Sequence, residues 1–177
     1  SLHDPGWRND QCADLTMAEQ SAIAWCDATF NPWEGCMKVS PGCTNCYAET
    51  RHLRFRRHAT ETQDEGPLLW GPAKTTVRRR TTPLYWRQPL RWQRKLGPNE
   101  TMLVFGNSLC DVFEDHPMVA PWRVDYFRLM REASQLTWLL PTKRPENIPD
   151  MLPPDWGPHG YPNVWLGASV ESGETVD

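Results

Sequence analysis

Three short apolar runs stand out along a mostly polar chain: Thr101-Met-Leu-Val-Phe-Gly106, Leu136-Thr-Trp-Leu-Leu140 and Val164-Trp-Leu-Gly-Ala168. Their length and their flanking turn formers predict buried strands. A fourth run, Ser21-Ala-Ile-Ala-Trp-Cys26, predicts a strand ahead of them. Between the runs the pattern turns helical. Residues Cys46 to His58 read as a helix with Tyr47, Leu53 and Phe55 on it and Arg51, Arg54, Arg56 and Arg57 on the exposed side. Trp122, Tyr126, Met130 and Ala133 share one face of a helix that starts near Pro117 or Pro121. Pro145 to Leu152 predicts a short helix, and Pro89 to Leu96 another. The repeated order strand, loop, helix predicts an α/β domain of βα units on a parallel sheet over residues 21–177. Residues 1–20 read as a polar tail. Residues 59–100, rich in Pro, Gly, Arg and Trp, read as a basic insertion.

Parallel βα units put every strand-to-helix loop on one edge of the sheet. Here each strand is followed by polar residues: Asn107, Ser108 and Asp111; Thr142, Lys143 and Arg144; Ser169 and Glu171. Loop capping would account for some of them, but three successive clusters predict an active edge.

Composition changes the picture in two places. No run of about 18 apolar residues exists, so no transmembrane helix is expected. Ser1 to Gln11 has no apolar core, so no signal peptide is expected either. A membrane is therefore not an expected partner. The net charge of −3 hides an asymmetry: Arg51 to Lys95 holds 12 Lys and Arg against 3 Asp and Glu. Such a stretch reads either as a solvated, paired face or as a site for an anionic partner, nucleic acid above all. Arg78, Arg79, Arg80 and Arg91 lie among Trp70, Tyr85, Trp86 and Trp92. Guanidinium groups hold phosphates and aromatic rings stack bases, so Arg78, Arg79, Arg80, Trp86 and Arg91 are candidate nucleic-acid contacts.

Six cysteines occur, and Cys36, Cys43 and Cys46 form a dense C-x6-C-x2-C trio with a Pro41-Gly42 turn before Cys43. Such a loop can aim three thiolates at one point. Zinc would take a fourth ligand from Cys26, Cys110 or His52, whereas a [4Fe–4S] cluster held by three thiolates keeps one iron open. Spacing leaves both open, and unliganded thiols beside them.

Trp25-Cys-Asp-Ala-Thr-Phe-Asn-Pro32, Gly35-Cys36, Lys38-Val-Ser-Pro-Gly-Cys43 and Asn45-Cys-Tyr-Ala-Glu49 resemble a family of uncharacterised phage and bacterial proteins grouped with the radical SAM superfamily. Asn107-Ser108, Thr142-Lys-Arg-Pro-Glu146 and Asn163-Val-Trp-Leu-Gly167 with Ser169-Val-Glu171 extend the resemblance over most of the chain. It implies a partial (β/α) TIM-like barrel with the cysteine loop after the first strand. Cys36, Cys43 and Cys46 match the ligands of a [4Fe–4S] cluster whose open iron binds S-adenosylmethionine. Ser169 and Glu171 match groups that contact the ribose or methionine end. Asn107 and Ser108 stand where the amino group binds, and Lys143 and Arg144 where a carboxylate or phosphate would be met. The spacing departs from the commoner C-x3-C-x2-C, and Tyr47 follows the third cysteine where the usual aromatic precedes it.

The chain reaches Asp177 just past the fourth expected strand, so a partial barrel is expected, with its open edge covered by a second chain, a dimer mate or residues 59–100. Two functions compete. One is a radical SAM enzyme acting on a nucleic acid or nucleotide, remotely similar to the spore photoproduct lyase that repairs DNA photoproducts. The other is a non-catalytic zinc- or cluster-binding phage protein that binds nucleic acid or a host protein. Either would act in the cytoplasm of a bacterial host.

Overall fold

A computed structural model describes residues 23–59 and 67–170 of the protein. The expected tail over 1–20 and the candidate Glu171 lie outside the described residues. In chain order the elements are β1 (Ala28–Phe30), β2 (Trp33–Glu34), α1 (Tyr47–Ala59), β3 (Arg79–Arg80), α2 (Pro83–Trp86), α3 (Gln88–Gln93), β4 (Met102–Gly106), α4 (Val119–Glu132), β5 (Leu136–Thr142), α5 (Ile148–Met151) and β6 (Val164–Ala168). Four strands, β1-β4-β5-β6, make one sheet, and all three neighbouring pairs run parallel. The strands lie side by side in chain order, so every strand's carboxyl end falls on one edge.

β5 is the best case of sequence dictating structure. Its residues alternate buried and half-buried along the whole strand, the period of two of a pleated ribbon. Pro141 sits in this central strand without loss, because pairing with β4 ends at Leu139 and only β6 continues beside it. α2 starts with Thr82, whose hydroxyl accepts from the Tyr85 amide at 3.3 Å, and Pro83 occupies the first turn.

The first strand begins later than the apolar run predicts. Residues 23–26 form a turn closed by the Cys26 amide on the Ile23 carbonyl, and Trp25 is 52 % exposed, its ring 4.7 Å from Phe105. Asp27 sets the start: its amide donates to the Leu103 carbonyl and its carboxylate accepts from the Leu103 amide at 2.7 Å. A side chain thus takes the first rung of the ladder, and Ala28 begins the strand.

The stretch expected as an insertion joins the core. Phe30 at the end of β1 stacks on Tyr85 at 5.0 Å and meets Trp86, Trp92 and Trp138 edge-on and Tyr126 at a tilt. Helices α2, α3 and α4 therefore share one aromatic core on one face of the sheet. The other face keeps Leu103 and Trp165 exposed. The sheet is open among the described residues, with β1 and β6 at its edges. The α/β class and parallel order stand as expected, and no closed barrel is present in the described part.

Candidate functional site

The cysteine loop leaves β1 at Asn31, whose side chain ties it to the loop after β4. Asn31 Nδ2 donates to Ser108 Oγ at 2.9 Å, and Asn31 Oδ1 accepts from the Leu109 amide at 2.8 Å. The chain then pairs briefly as β2 with β3 and reaches Gly35 at φ +111°. A Cβ there would lie 2.4 Å from the Leu69 carbonyl oxygen, so only glycine lets the loop run against residues 69–71. Cys36 bridges to Trp70, its amide donating to the Leu69 carbonyl and its carbonyl accepting from the Gly71 amide. Pro41–Cys43 forms a single 3-10 turn, and α1 opens directly after Cys46. The Tyr47 hydroxyl donates to the Ser108 carbonyl, fastening the start of α1 to the β4 loop.

Beneath this loop lies a buried charge network that residue spacing did not foretell. Arg78, with no exposed side-chain surface, grips Glu114 by Nε (2.9 Å) and Nη2 (2.7 Å). Its remaining donors reach the Leu69, Gly71 and Val77 carbonyls and the Thr76 hydroxyl. Glu114 also accepts from the Met37 amide at 2.9 Å. Asp111 accepts from the Thr142 hydroxyl, the Phe113 and Lys143 amides and Arg144 Nη1. Arg144 turns its fork onto the loop: Nη1 and Nη2 each lie 3.6 Å from Cys36 Sγ, and Nη2 donates to the Met37 carbonyl at 2.6 Å.

Two expectations are corrected by this network. Arg78 is not a surface contact for nucleic acid, because all its donors are spent inside the protein. Arg144 does not face a substrate anion, because Asp111, Met37 and Cys36 take its donors. Of the other basic candidates, Arg79 pairs with Glu34, and Arg80 pairs with Asp125 at 2.9 Å while lying 4.2 Å above the Trp86 ring. Trp86 is half-buried and donates to the Pro32 carbonyl, so it belongs to the core's margin. Arg91 is exposed on α3.

The three cysteines are free thiols. Burial pushes the Cys36 thiol up to about 12, against the opposing pull of Arg144. Burial also acts to raise Cys43, but hydrogen bonds from the Val39–Ser40 backbone and the Ser40 hydroxyl, with the charge of Lys143 behind them, leave it below the ordinary thiol value. Lys143 thus stands on the Cys43 side of the loop and Arg144 on the Cys36 side. Among the described residues no three Cys, His, Asp or Glu side chains are gathered to hold a metal ion. The loop brings its cysteines to one edge of the sheet without converging their sulfurs.

Asn107 and Ser108 share that edge. Asn107 is buried at φ 68°, its Nδ2 donates to Cys110 Sγ at 3.2 Å, and its Oδ1 has no hydrogen-bond partner. Asparagine is among the non-glycine residues that take up this left-handed conformation, and its Oδ1 is a buried acceptor without a partner among the described residues. Ser108 spends its hydroxyl on Asn31. Ser169 is exposed beyond β6, its amide donating to the Thr142 carbonyl at 2.8 Å. No helix among the described residues is long and apolar enough to cross a membrane.

No curated protein and no solved structure matches this chain. Residues 20–177 match the family described as "Protein of unknown function (DUF5131)", a span that takes in the cysteine loop, the buried charge network and all four strands of the sheet, and the chain belongs to that family.

Proposed function

We propose that the protein is an iron–sulfur protein of radical SAM type that cleaves S-adenosylmethionine reductively to act on a nucleic acid or nucleotide. The observation that carries this reading is the fastening of a three-cysteine loop to the carboxyl edge of a parallel sheet, beside the buried, unmatched Asn107 Oδ1. In parallel α/β folds that edge is where ligands bind. What supports a cluster is the donor type alone: three free thiols stand on one loop, Cys43 lowered, against burial, by its hydrogen bonds and Cys36 raised by burial beside a guanidinium, with their sulfurs not gathered among the described residues. Cys36, Cys43 and Cys46 would hold the cluster, their sulfurs drawing together as it loads. Bound there, a [4Fe–4S] cluster supplies the electron for reductive cleavage of S-adenosylmethionine. Asn107 Oδ1 would accept a hydrogen bond from the ligand's ammonium, and Lys143 would meet its carboxylate. Glu171 and Ser169 would serve the ribose. In this reading the four strands are part of a TIM-like (β/α) barrel, completed by further strands or a second chain, and the exposed Leu103 and Trp165 face that completion.

The test is anaerobic reconstitution. About four irons per chain, with visible absorbance that responds to S-adenosylmethionine, are expected. Each of Cys36→Ala, Cys43→Ala and Cys46→Ala should lose the iron. Zinc without iron, or iron unchanged in all three variants, overturns the reading.

A further inference from the structure

Resting on the nucleic-acid part of the function proposed above and on none of its cluster chemistry, we infer that Arg87, Arg91 and Arg94 form a row along α3 that holds the phosphate backbone of a nucleic-acid duplex and leads it to the carboxyl edge of the sheet. Arg87 and Arg94 flank the helix and Arg91 stands within it. The Arg91 amide donates to the Arg87 carbonyl at 3.2 Å and the Arg94 amide to the Leu90 carbonyl at 3.3 Å, so the three occupy successive turns of one helical stretch. Residues spaced four and then three apart fall on one face of a helix. The opposite face is spent on the core: Trp92 is buried, and Tyr85, Trp86 and Leu90 pack beside it. All three arginines are exposed.

Missing carboxylates single the row out. Residues 66–99 hold no Asp or Glu. Other arginines on the surface are matched: Arg51 and Arg79 by Glu34, Arg80 and Arg128 by Asp125, and Arg131 by Asp155. Arg87, Arg91 and Arg94 have no carboxylate partner among the described residues. An unmatched cationic row draws an anion, and charges repeated along a helix suit phosphates repeated along a strand. From Arg87 to Arg94 the helix rises about 10 Å, room for about three phosphates of one strand. The neighbouring rings favour duplex over single strand. Trp92 is buried, Tyr85 stacks on Phe30, and Trp86 lies under Arg80 at 4.2 Å with its Nε1 tied to the Pro32 carbonyl. None of these rings is left to stack on an unpaired base, so the contact this face offers is to the backbone. The row also has a direction. Trp86, next to Arg87, is held at Pro32 just past the carboxyl end of β1, while Gln93, next to Arg94, accepts from the Gln135 amide just before β5.

The experiment is fluorescence anisotropy of a labelled DNA duplex of about 20 base pairs with the protein as purified, without iron reconstitution, between about 50 and 200 mM KCl. Replacing Arg87, Arg91 and Arg94 together by Gln is expected to weaken binding on the order of tenfold at the low-salt end. It should also lower the log-affinity against log-salt slope by about 3, one for each phosphate no longer neutralised. Replacing the same three by Lys keeps the charges and should restore the slope. Arg131→Gln, whose wild-type partner is Asp155, should change neither. Circular dichroism accompanies each variant. If the triple Gln variant does not fold, the single variants decide, each expected to lower the slope by about 1. A folded triple Gln variant with an unchanged slope overturns the row. A single strand of the same length bound more tightly than the duplex, or phosphatidylserine vesicles bound in its place, overturns the duplex assignment. A wild-type chain that binds no nucleic acid at low salt overturns the proposed substrate and this row together, an outcome distinct from wild-type binding with an indifferent triple variant, which overturns the row alone.

Discussion

At the residue scale, the buried Arg78–Glu114 pair does more than neutralise charge. Its donors and acceptors also close backbone gaps in the cysteine loop and in residues 69–77, so removing one partner strands the other. Arg78→Met leaves Glu114 with only the longer 3.9 Å approach of Arg144 and the Met37 amide, and should cost about 3–5 kcal/mol, measured by denaturant unfolding. Cys110 adds a pH dependence. Burial raises its thiol well above the ordinary value of 9.0, and burial likewise raises the Tyr126 phenol above 10.0. Both groups keep their protons in the folded state after the unfolded chain has lost them. Folding stability is therefore fully present below about pH 9 and falls as the pH rises further, by about 1.4 kcal/mol per pH unit for each group. Cys110→Ala should make the first part of that decline shallower, leaving the share that the raised Cys36 thiol contributes. An identical alkaline slope would mean the thiol titrates normally.

At the element scale, the cysteine loop is shaped by what it leans on. It has one 3-10 turn of its own, and its order comes from Leu69, Trp70 and Gly71 on one side and Glu114 and Arg144 on the other. Gly35 is where these constraints meet. Gly35→Ala forces a methyl group into the Leu69 carbonyl and Arg78 Cδ at an unfavourable φ. A destabilisation of roughly 2–4 kcal/mol is expected. On the proposed cluster reading, iron uptake should fall with it, because Gly35 is where the cysteine loop runs against residues 69–71.

At the scale of the whole molecule, the basic stretch is divided between inside and outside. Arg78 stabilises the interior, while Arg79, Arg80 and Arg91 lie on the surface. For the proposed nucleic-acid substrate, Arg79→Ala, Arg80→Ala and Arg91→Ala together should weaken binding. They should also reduce the log-affinity against log-salt slope by about 1 for each phosphate that is no longer neutralised. An unchanged slope would assign Arg79 to its pair with Glu34 and Arg80 to its pair with Asp125, and leave Arg91 out of the interface.

Local pattern determined much of this protein. β4, β5, β6 and α4 follow from apolar runs and a helical face, because burial of adjacent residues is a short-range demand. The three-cysteine loop was equally legible, but the strand before it lies at Ala28–Phe30, in a stretch the pattern reads as loop. The tertiary structure alone decided which arginines go inside. Arg78 and Glu114 are 36 positions apart and Arg144 and Asp111 33, and no periodicity links them. It also decided where β1 begins, since Asp27 pairs with a backbone 76 positions away. A charged side chain reads as surface until its partner is known, and only the fold brings the partner to it.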